Sequence, residues 1–243
     1  MLNLILLPQL VSRAKWNNPD VRFKHLSDVL RVQPGSVIDF AVENGPRGKG
    51  KIESISSVEV EVSFQWEQTI EANFLPVRLL IGLSRPQTCR KILEQAAAMG
   101  VEEFHFFGAD KGEPSYASST LWTSDEWKEK IRGGVEQAFS THLPKCKIYE
   151  NLSSVLKETE TASGFRIGLD NYEATGGLTP ITLQPEEQVW VAIGPERGWS
   201  PDERNLLRDN LFELRHLGKR VLRVETAVVA AVGILGINSL SKD

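Results

Sequence analysis

From residue 77 onward the chain alternates strand-like and helix-like segments, and this alternation restricts its fold more than any other feature. Residues 77–83 are continuously apolar, and a helical pattern follows over 87–99 and ends at Gly100. Further strand-like runs occupy 104–107, 145–149, 165–169, 189–193 and 211–217, and helical patterns occupy 124–139, 152–159 and the stretches after Ser200 and Val224. Strands that are joined through helices predict a parallel sheet with right-handed crossovers.

The first 70 residues have a different pattern, which predicts a separate small β domain. The apolar N-terminus lacks the features of a signal peptide and is expected to be a strand. Val58, Val60 and Val62 alternate with polar residues, as in a half-buried strand. Asn18-Pro19-Asp20 predicts a helix start, with Asn18 as the cap and Pro19 at the first helical position. We therefore expect a compact β-barrel over 1–70 and an α/β domain over 71–243, with a linker over 67–76.

Composition and charge limit the class of function. A hydrophobic content of 41% and a charged content of 25% are typical of soluble globular proteins. The net charge of −4 argues against indiscriminate binding of polyanions, although local patches can still bind them. Basic residues recur over 13–31 and 47–51, but interleaved acidic residues favour an ordinary solvated surface there.

The cysteines and the apolar runs give expectations about partners and location. Cys89 and Cys146 have the spacing of neither a zinc site nor a disulfide framework, so we expect no metal and a reducing, cytoplasmic environment. The apolar run 227–237 is too short to cross a bilayer, so no membrane partner is expected.

A first segment that combines glycine turns with charged residues begins at Ile193 and has the sequence IGPERGWS. Ser200 and the three residues after it satisfy three rules for a helix start: a hydroxyl cap, a proline at the first helical position, and Glu203 three residues after the cap. Residues 194–198 are therefore a loop between a buried strand and a helix N-terminus, where backbone N–H groups are available to a ligand. The loop matches neither a Walker A sequence nor a G-x-G-x-x-G fingerprint, so phosphate binding is not indicated. A plain strand–helix turn is the alternative, but a glutamate and an arginine in so short a loop favour a ligand site.

A second such segment begins at Leu217 and has the sequence LGKRVLRVETA. Charged residues close to an apolar helix start must be paired or must line a site. Arg223 and Glu225 could bridge each other, which is the structural alternative to a site. The helix over 226–237 is apolar on all sides and is expected to be buried. Its small residues allow close approach to the sheet or to a partner subunit.

Together with His25-Leu26-x-x-Val29-Leu30-Arg31-x-x-x-Gly35, these two segments closely resemble the 16S rRNA uridine-N3 methyltransferase family of the SPOUT superfamily. The resemblance covers nearly the whole chain. It implies a PUA-like β-barrel followed by a parallel α/β domain that is threaded as a trefoil knot. It also implies an RNA methyltransferase that uses S-adenosylmethionine, acts on 16S rRNA or the small ribosomal subunit, and forms a homodimer.

The resemblance also implies site residues. The implied cofactor-binding residues are Leu169, Ile193, Gly194, Pro195, Glu196, Gly198, Leu217, Gly218, Val221, Leu222, Arg223 and Thr226, and the implied RNA-binding residues are His25, Arg31 and Lys111. Methyl transfer to uracil N3 requires in-line placement of the methyl carbon and loss of the N3 proton. Arg223 is the candidate that stabilises the negative charge on the uracil carbonyls. Glu196 or Glu225 is the candidate that orients the base or accepts the proton.

The chain also departs from the family pattern. Arg197 stands where most of the family has a second glycine, Ala98 where a glutamate is usual, and Ser140 and His142 where arginines are common. These changes leave the cofactor segments intact but alter positions expected to meet RNA. Three alternatives stay open: methylation of another rRNA or tRNA base, a noncatalytic RNA-binding assembly factor, and a generic nucleotide-binding α/β protein. The missing glycine fingerprint disfavours the last of these.

Overall fold

The computed structural model describes residues 4–68, 72–184 and 186–237, and the chain divides into two compact units. The first unit comprises Met1–Asn73 and Val135–Leu143, and the second comprises Phe74–Gly134 and Pro144–Asp243. A curled β sheet forms the first unit and an all-parallel α/β sheet forms the second, so the predicted fold class is confirmed. The predicted boundary between residues 70 and 71 lies within the stretch 69–71, which is outside the described residues.

The first unit contains a five-stranded sheet with the order β1-β3-β4-β5-β2. Its strands are β1 (Leu4–Leu7), β2 (Arg13–Asn17), β3 (Val37–Val42), β4 (Arg47–Ile55) and β5 (Glu59–Trp66). Strand β1 pairs with β3 in parallel, and the other neighbours are antiparallel. In β5, Val60, Val62 and Phe64 point into a core with Phe40 and Leu26, whereas the residues between them are more exposed, as their alternation predicts.

The helix of the first unit starts later than the sequence pattern indicates. Helix α1 is Val21–Lys24 and continues as a π-helical turn over His25–Val29. Its cap is Asp20, whose side chain accepts a hydrogen bond from the Arg22 N–H at 2.8 Å. Pro19 follows a cis peptide bond and lies before the helix. The prediction of Asn18 as the cap was therefore wrong, because the Asp20 carboxylate satisfies the first N–H groups and also pairs with the Arg22 guanidinium at 2.7 Å.

The second unit is built on a parallel sheet with the order β10-β12-β9-β11-β6-β7-β8, which confirms the predicted parallel arrangement. Its strands are β6 (Leu75–Gly82), β7 (Val101–Phe107), β8 (Lys145–Tyr149), β9 (Phe165–Leu169), β10 (Gly176–Gly177), β11 (Val189–Ile193) and β12 (Glu213–His216). Its helices are α2 (Pro86–Ala98), α3 (Thr120–Thr123), α4 (Glu126–Gln137, which continues into the first unit), α5 (Leu152–Glu158), α6 (Pro201–Asp209) and α7 (Val224–Gly236).

Four neighbouring strands of this sheet end together at one edge. Ile193 of β11 is in register with Ile81 of β6 and with Leu169 of β9. Leu169 is in turn paired with Arg215 of β12. Strands β7 and β8 follow β6 on one side of the sheet, whereas the later strands β9, β11 and β12 lie on its other side. The strand order therefore reverses beside β6. Ligands of open α/β sheets bind at the carboxyl ends of the strands, at such a reversal.

Helix α7 is buried on one face and not on all sides. Val228, Ala231 and Val232 are fully buried, whereas Gly233 and Ile237 are exposed. The expectation of a fully buried helix was therefore wrong for this chain taken singly, because α7 packs on one side against α2, β6 and β11. An apolar stripe consequently stays at the surface.

The described residues were compared with the requirements of a membrane-spanning helix and of a metal site. None of the helices in the described ranges combines the length and the apolarity that crossing a bilayer requires. The same ranges contain no group of three or more histidine, cysteine, aspartate or glutamate side chains placed to hold a metal ion.

Candidate functional site

A cavity of about 530 Å³ lies at the carboxyl ends of β9, β11 and β12, beside the N-termini of α2 and α7. Its volume is in the usual range for small-molecule sites. The lining residues come from four stretches of the second unit: Arg85 and Thr88; Leu169–Tyr172; Ile193–Trp199; and Arg215–Leu217 with Val221–Glu225 and Ala227. The two segments that the sequence singles out are thus walls of one cavity.

The loop 194–200 is fixed by a buried tryptophan. Trp199 is only 1% exposed, its Nε1–H donates to the carbonyl of Leu169 at 2.8 Å, and its ring stacks on Phe107 at a centroid distance of 6.0 Å. Gly198 has a φ of +68° and closes a turn in which its N–H donates to the Pro195 carbonyl at 2.8 Å. Glycine adopts this conformation at little cost. The wall between β11 and α6 therefore has one defined shape.

The predicted start of α6 is confirmed, and its glutamate has a further partner. Ser200 and Glu203 form a reciprocal capping box, with the Glu203 N–H donating to Ser200 Oγ at 3.0 Å and the Ser200 N–H donating to Glu203 Oε2 at 2.8 Å. Glu203 Oε1 also accepts from the Asp110 N–H at 3.0 Å, and Ser200 Oγ donates to Asp110 Oδ2 at 2.6 Å. This network ties the loop after β7, which carries Lys111, to the loop 194–200.

Burial raises the pKa of Glu203, and the backbone N–H donors of Ser200 and Asp110 oppose that rise without cancelling it. Glu203 is buried together with Ser200 and does not line the cavity. Its part in the site is therefore to hold two loops together.

Asp170 is a lining residue whose oxygens are already bonded within the chain. Its two oxygens accept hydrogen bonds from Arg204 at 2.6 and 3.2 Å and from the N–H groups of Tyr172 and Glu173 at 3.1 and 3.2 Å. Burial alone would raise the pKa of Asp170, but these donors outweigh burial and hold it below its usual value. An ionised Asp170 thus shapes the turn 170–173 at the edge of the cavity.

Glu196 bridges two walls of the cavity. Its Oε1 accepts a hydrogen bond from the Arg85 N–H at 2.9 Å, and Arg85 is the cap residue of α2. A carboxylate is stabilised at a helix N-terminus by the helix dipole. Within the described residues the second oxygen of Glu196 makes no hydrogen bond, so it stays available to a ligand.

Glu225 pairs with Lys91 and not with Arg223. The distance from Lys91 Nζ to Glu225 Oε1 is 3.2 Å, and the glutamate side chain is 11% exposed. Burial would raise the pKa of Glu225, but a backbone N–H, Lys91 and the charge of Arg223 lower it overall. Arg223, the cap residue of α7, is exposed and forms no ion pair within the described ranges. The alternative that Arg223 and Glu225 only bridge each other is therefore not what the structure shows.

Most of the residues predicted for the cofactor lie together at this cavity. Leu169, Ile193, Gly194, Pro195, Glu196, Gly198, Leu217, Val221, Leu222 and Arg223 line it, as does Glu225. Gly218 and Thr226 do not. Gly218 has a φ of +103° and forms a turn near the start of the second segment, and Thr226 is on the exposed side of α7. The predicted RNA-binding residues lie elsewhere: His25 and Arg31 in the first unit, and Lys111 in the second unit beside the Asp110 network.

Sequence reasoning missed part of the lining. Arg85 and Thr88 lie at the start of α2, Tyr172 lies in the turn after β9, and Arg215 and His216 lie at the end of β12. A proline that opens a helix directly after a buried strand, as Pro86 does, was the available signal for the first pair.

Comparison with known proteins agrees with this geometry. The family model described as the RNA methyltransferase domain matches residues 71–236. A relative from Treponema pallidum, named ribosomal RNA small subunit methyltransferase E, is 29% identical over 224 residues, which are 90% of this chain and 84% of the relative. A relative from Borreliella burgdorferi, named ribosomal RNA small subunit methyltransferase E 1, is 27% identical over 214 residues, or 87% of this chain and 88% of the relative.

A crystal structure from Neisseria gonorrhoeae has the same fold. It is described as ribosomal RNA small subunit methyltransferase E bound to S-adenosyl methionine, and it superposes with a TM-score of 0.79 at 21% identity. The superposition covers 96% of each chain.

Proposed function

This chain belongs to the RNA methyltransferase domain family, and on that premise we propose that it transfers the methyl group of S-adenosylmethionine to N3 of a uridine in 16S rRNA of the small ribosomal subunit. The main support for the proposal is that both segments that resemble the uridine-N3 family line the same cavity. The relatives named as small-subunit rRNA methyltransferases support the choice of substrate. A substrate of this kind implies work in the cytoplasm.

The cavity suits S-adenosylmethionine in size and chemistry. Apolar side chains of Leu169, Ile193 and Leu222 offer a slot for the adenine ring, and the strand-end loops beside them offer backbone polar groups. The free oxygen of Glu196 is a suitable neighbour for a cationic sulfonium. We propose that the lining residues implied by the resemblance hold the cofactor, with Gly218 supporting the loop that carries them and Thr226 contributing from α7.

When bound, the cofactor supplies a methyl group that is activated by its positive sulfur. The residues of this chain then have to position uracil N3 in line with that group and manage the charge that appears when N3 loses its proton. The exposed, unpaired guanidinium of Arg223 at the edge of the cavity is placed to stabilise negative charge on the uracil carbonyls.

Two carboxylates are candidates for orienting the base or accepting its proton. Glu196 has one oxygen free, whereas Glu225 is paired with Lys91 and has a lowered pKa, which makes it a weaker base. Rate–pH profiles of Glu196→Gln and Glu225→Gln separate these roles. If the replaced glutamate accepts the proton, the variant should no longer show the fall in rate at low pH that comes from protonation of that carboxylate. If the glutamate only orients the base, the fall in rate at low pH should remain.

RNA contacts are proposed at His25, Arg31 and Lys111. Arg31 and Lys111 are exposed and have no ion-pair partner in the described part of the chain, whereas His25 is half-buried in the turn after α1. Free cations of this kind suit phosphate binding.

A homodimer built through α7 is also part of the proposal. Its surface stripe consists of Val229, Ala230, Gly233, Ile234 and Ile237, all exposed or half-buried and all uncharged. Small residues among them allow another helix to approach closely. Light scattering tests this directly: Ala230→Glu should convert a dimer into a monomer, and a wild-type monomer would contradict the dimer.

The methylation itself is tested in two steps. Calorimetry with S-adenosylmethionine should show binding, and no binding at millimolar cofactor would instead favour a noncatalytic RNA-binding factor. Mass mapping of 16S rRNA from a strain that lacks the gene should then show the loss of one N3-methyluridine. Intact N3-methyluridine in that strain would contradict the proposed target and point to another rRNA or tRNA base.

A further inference from the structure

Cations without an ion-pair partner are concentrated around the cavity of the second unit. Most lysines and arginines of this unit pair with a carboxylate, for example Arg90 with Glu126 and Arg208 with Glu173. Within its described residues, the cations that have neither an ion pair nor a side-chain hydrogen bond are Arg85, Lys111, Lys157, Arg197, Lys219, Arg220 and Arg223. Arg85, Arg197 and Arg223 line the cavity, and Lys219 and Arg220 directly precede its lining residue Val221.

Within the described residues, none of the acidic side chains of the cavity forms an ion pair with these cations. Asp170 is bonded to Arg204, and Glu225 is bonded to Lys91. Glu196 accepts from the backbone of Arg85, which brings the Arg85 and Arg197 segments together while leaving both guanidinium groups exposed. The guanidinium groups of Arg85 and Arg197, neither of which has an ion pair in the described residues, therefore lie on either side of the hydrogen bond between Glu196 and the Arg85 backbone, at the mouth of the cavity.

An exposed aromatic ring lies beside these charges. Tyr172 is 78% exposed although it lines the cavity, and a Cβ on Gly198 would lie 3.9 Å from its ring, which places Tyr172 beside the turn that carries Arg197. The backbone of Tyr172 is held by Asp170, and the Arg204 guanidinium lies 5.5 Å from the ring centroid. The ring is thus supported from within the protein and open to solvent.

Free guanidinium groups next to an exposed aromatic ring are the combination by which proteins bind single-stranded RNA, with phosphates on the cations and bases stacked on the ring. We propose that Arg85, Arg197 and Tyr172 form an RNA subsite at the mouth of the cavity, which holds an unpaired stretch of the substrate next to the methylated base. This inference rests on the proposed function and names the part of the site that binds its RNA.

The salt dependence of methylation tests the phosphate contacts. The substrate is the small ribosomal subunit from a strain that lacks the gene, and kcat/KM is measured at saturating S-adenosylmethionine over a series of KCl concentrations. Each phosphate contact that is lost should make the slope of log kcat/KM against log salt shallower by about 0.7 to 0.9. The slope should become shallower by one such step in Arg197→Gln and by about two in the double variant Arg85→Gln/Arg197→Gln. The weaker binding should appear as a higher KM for the subunit.

Lys157→Gln is the matched control, since Lys157 is also exposed and unpaired in the second unit but lies on α5 away from the cavity. Its slope should equal that of the wild type. For the ring, Tyr172→Leu should have a higher KM for the subunit than Tyr172→Phe, because only phenylalanine keeps a stacking surface.

Three outcomes would overturn the subsite while the proposed function stands. They are a slope for Arg197→Gln that matches Lys157→Gln, equal KM values for Tyr172→Leu and Tyr172→Phe, or a loss that calorimetry traces to weaker binding of S-adenosylmethionine. The last result would mean that the arginines bind the cofactor carboxylate. A wild-type protein that transfers no methyl group to the subunit would instead refute the proposed function, and the subsite with it.

Discussion

Nε of Arg204 lies 2.6 Å from Oδ2 of Asp170, and the two side chains are only 7% and 2% exposed. A second hydrogen bond, from Arg204 Nη2 to Asp170 Oδ1 at 3.2 Å, makes the pair bidentate. The pair joins α6 to the end of β9 and thereby fixes the turn that places Tyr172 at the cavity. A buried pair of this geometry holds a site in place even where it adds little net stability.

Removal of one partner of this pair should destabilise the protein strongly. Arg204→Met leaves the Asp170 carboxylate buried and without its counter-ion, so we expect a loss of about 3 to 5 kcal/mol in the free energy of unfolding. Urea denaturation measures it. Arg208→Met is the control, because its pair with Glu173 is largely exposed and should be worth no more than about 1 kcal/mol. Equal losses in the two variants would show that the Asp170 pair has no special structural role.

The raised pKa of Glu203 gives a pH dependence of defined sign. A carboxyl group whose pKa is higher in the folded than in the unfolded state binds its proton more tightly when folded. Its contribution to stability is therefore complete below the ordinary glutamate range and is lost as pH rises through the raised pKa.

Glu203→Gln isolates this effect, because glutamine keeps the capping box and cannot ionise. The stability of the wild type relative to this variant should fall as pH rises above the ordinary range of a glutamate carboxyl group. Carboxyl groups with lowered pKa values, such as Asp170, titrate in both proteins and cancel in the difference. A difference that is flat, or that rises with pH, would contradict the raised pKa.

Two adjacent glycines of α4 should respond in opposite directions to alanine. A Cβ on Gly134 would lie 2.2 Å from the Glu94 carbonyl oxygen and 3.0 Å from the Ala97 Cβ, whereas a Cβ on Gly133 has no atom within 4 Å. Gly134→Ala should destabilise the protein by roughly 1 to 3 kcal/mol through overpacking. Gly133→Ala should stabilise it by roughly 0.4 to 1 kcal/mol, because alanine favours the helix. Thermal unfolding of both variants checks this, and the same sign for both would contradict it.

Arg223→Ala should slow methyl transfer. If Arg223 stabilises charge on the uracil carbonyls, its loss should lower kcat by roughly 10²-fold or more. Arg223→Lys should recover part of the rate, since lysine keeps the charge but not the fork of donors. Calorimetry establishes whether each variant still binds S-adenosylmethionine. Near-normal turnover by a folded Arg223→Ala protein that binds the cofactor would rule out this role.

Patterns among residues close together in the sequence predicted the helices and strands, but they did not predict contacts between residues far apart in the chain. The capping box of α6 and the alternation in β5 depend on residues a few positions apart, so the sequence was sufficient for both. The bond between Glu196 and Arg85 joins residues 111 positions apart, and that between Lys91 and Glu225 joins residues 134 positions apart. No periodic pattern pairs such residues. For the same reason the strand-end location of the cavity was predictable, but the contact of Arg85 with Glu196 and the position of Tyr172 beside the cavity were not.

The separation of the cavity walls along the chain has a consequence for biosynthesis. Lining residues extend from Arg85 to Ala227, and β11 must insert beside β6 before the walls can meet. Contacts between such distant segments form slowly, because the closure of a long loop has to precede them. A nascent chain therefore has no complete cavity until residue 227 has left the ribosome. A ligand that needs the whole cavity therefore binds only chains in which these segments have been synthesised and folded together, and its binding stabilises them relative to partly folded chains.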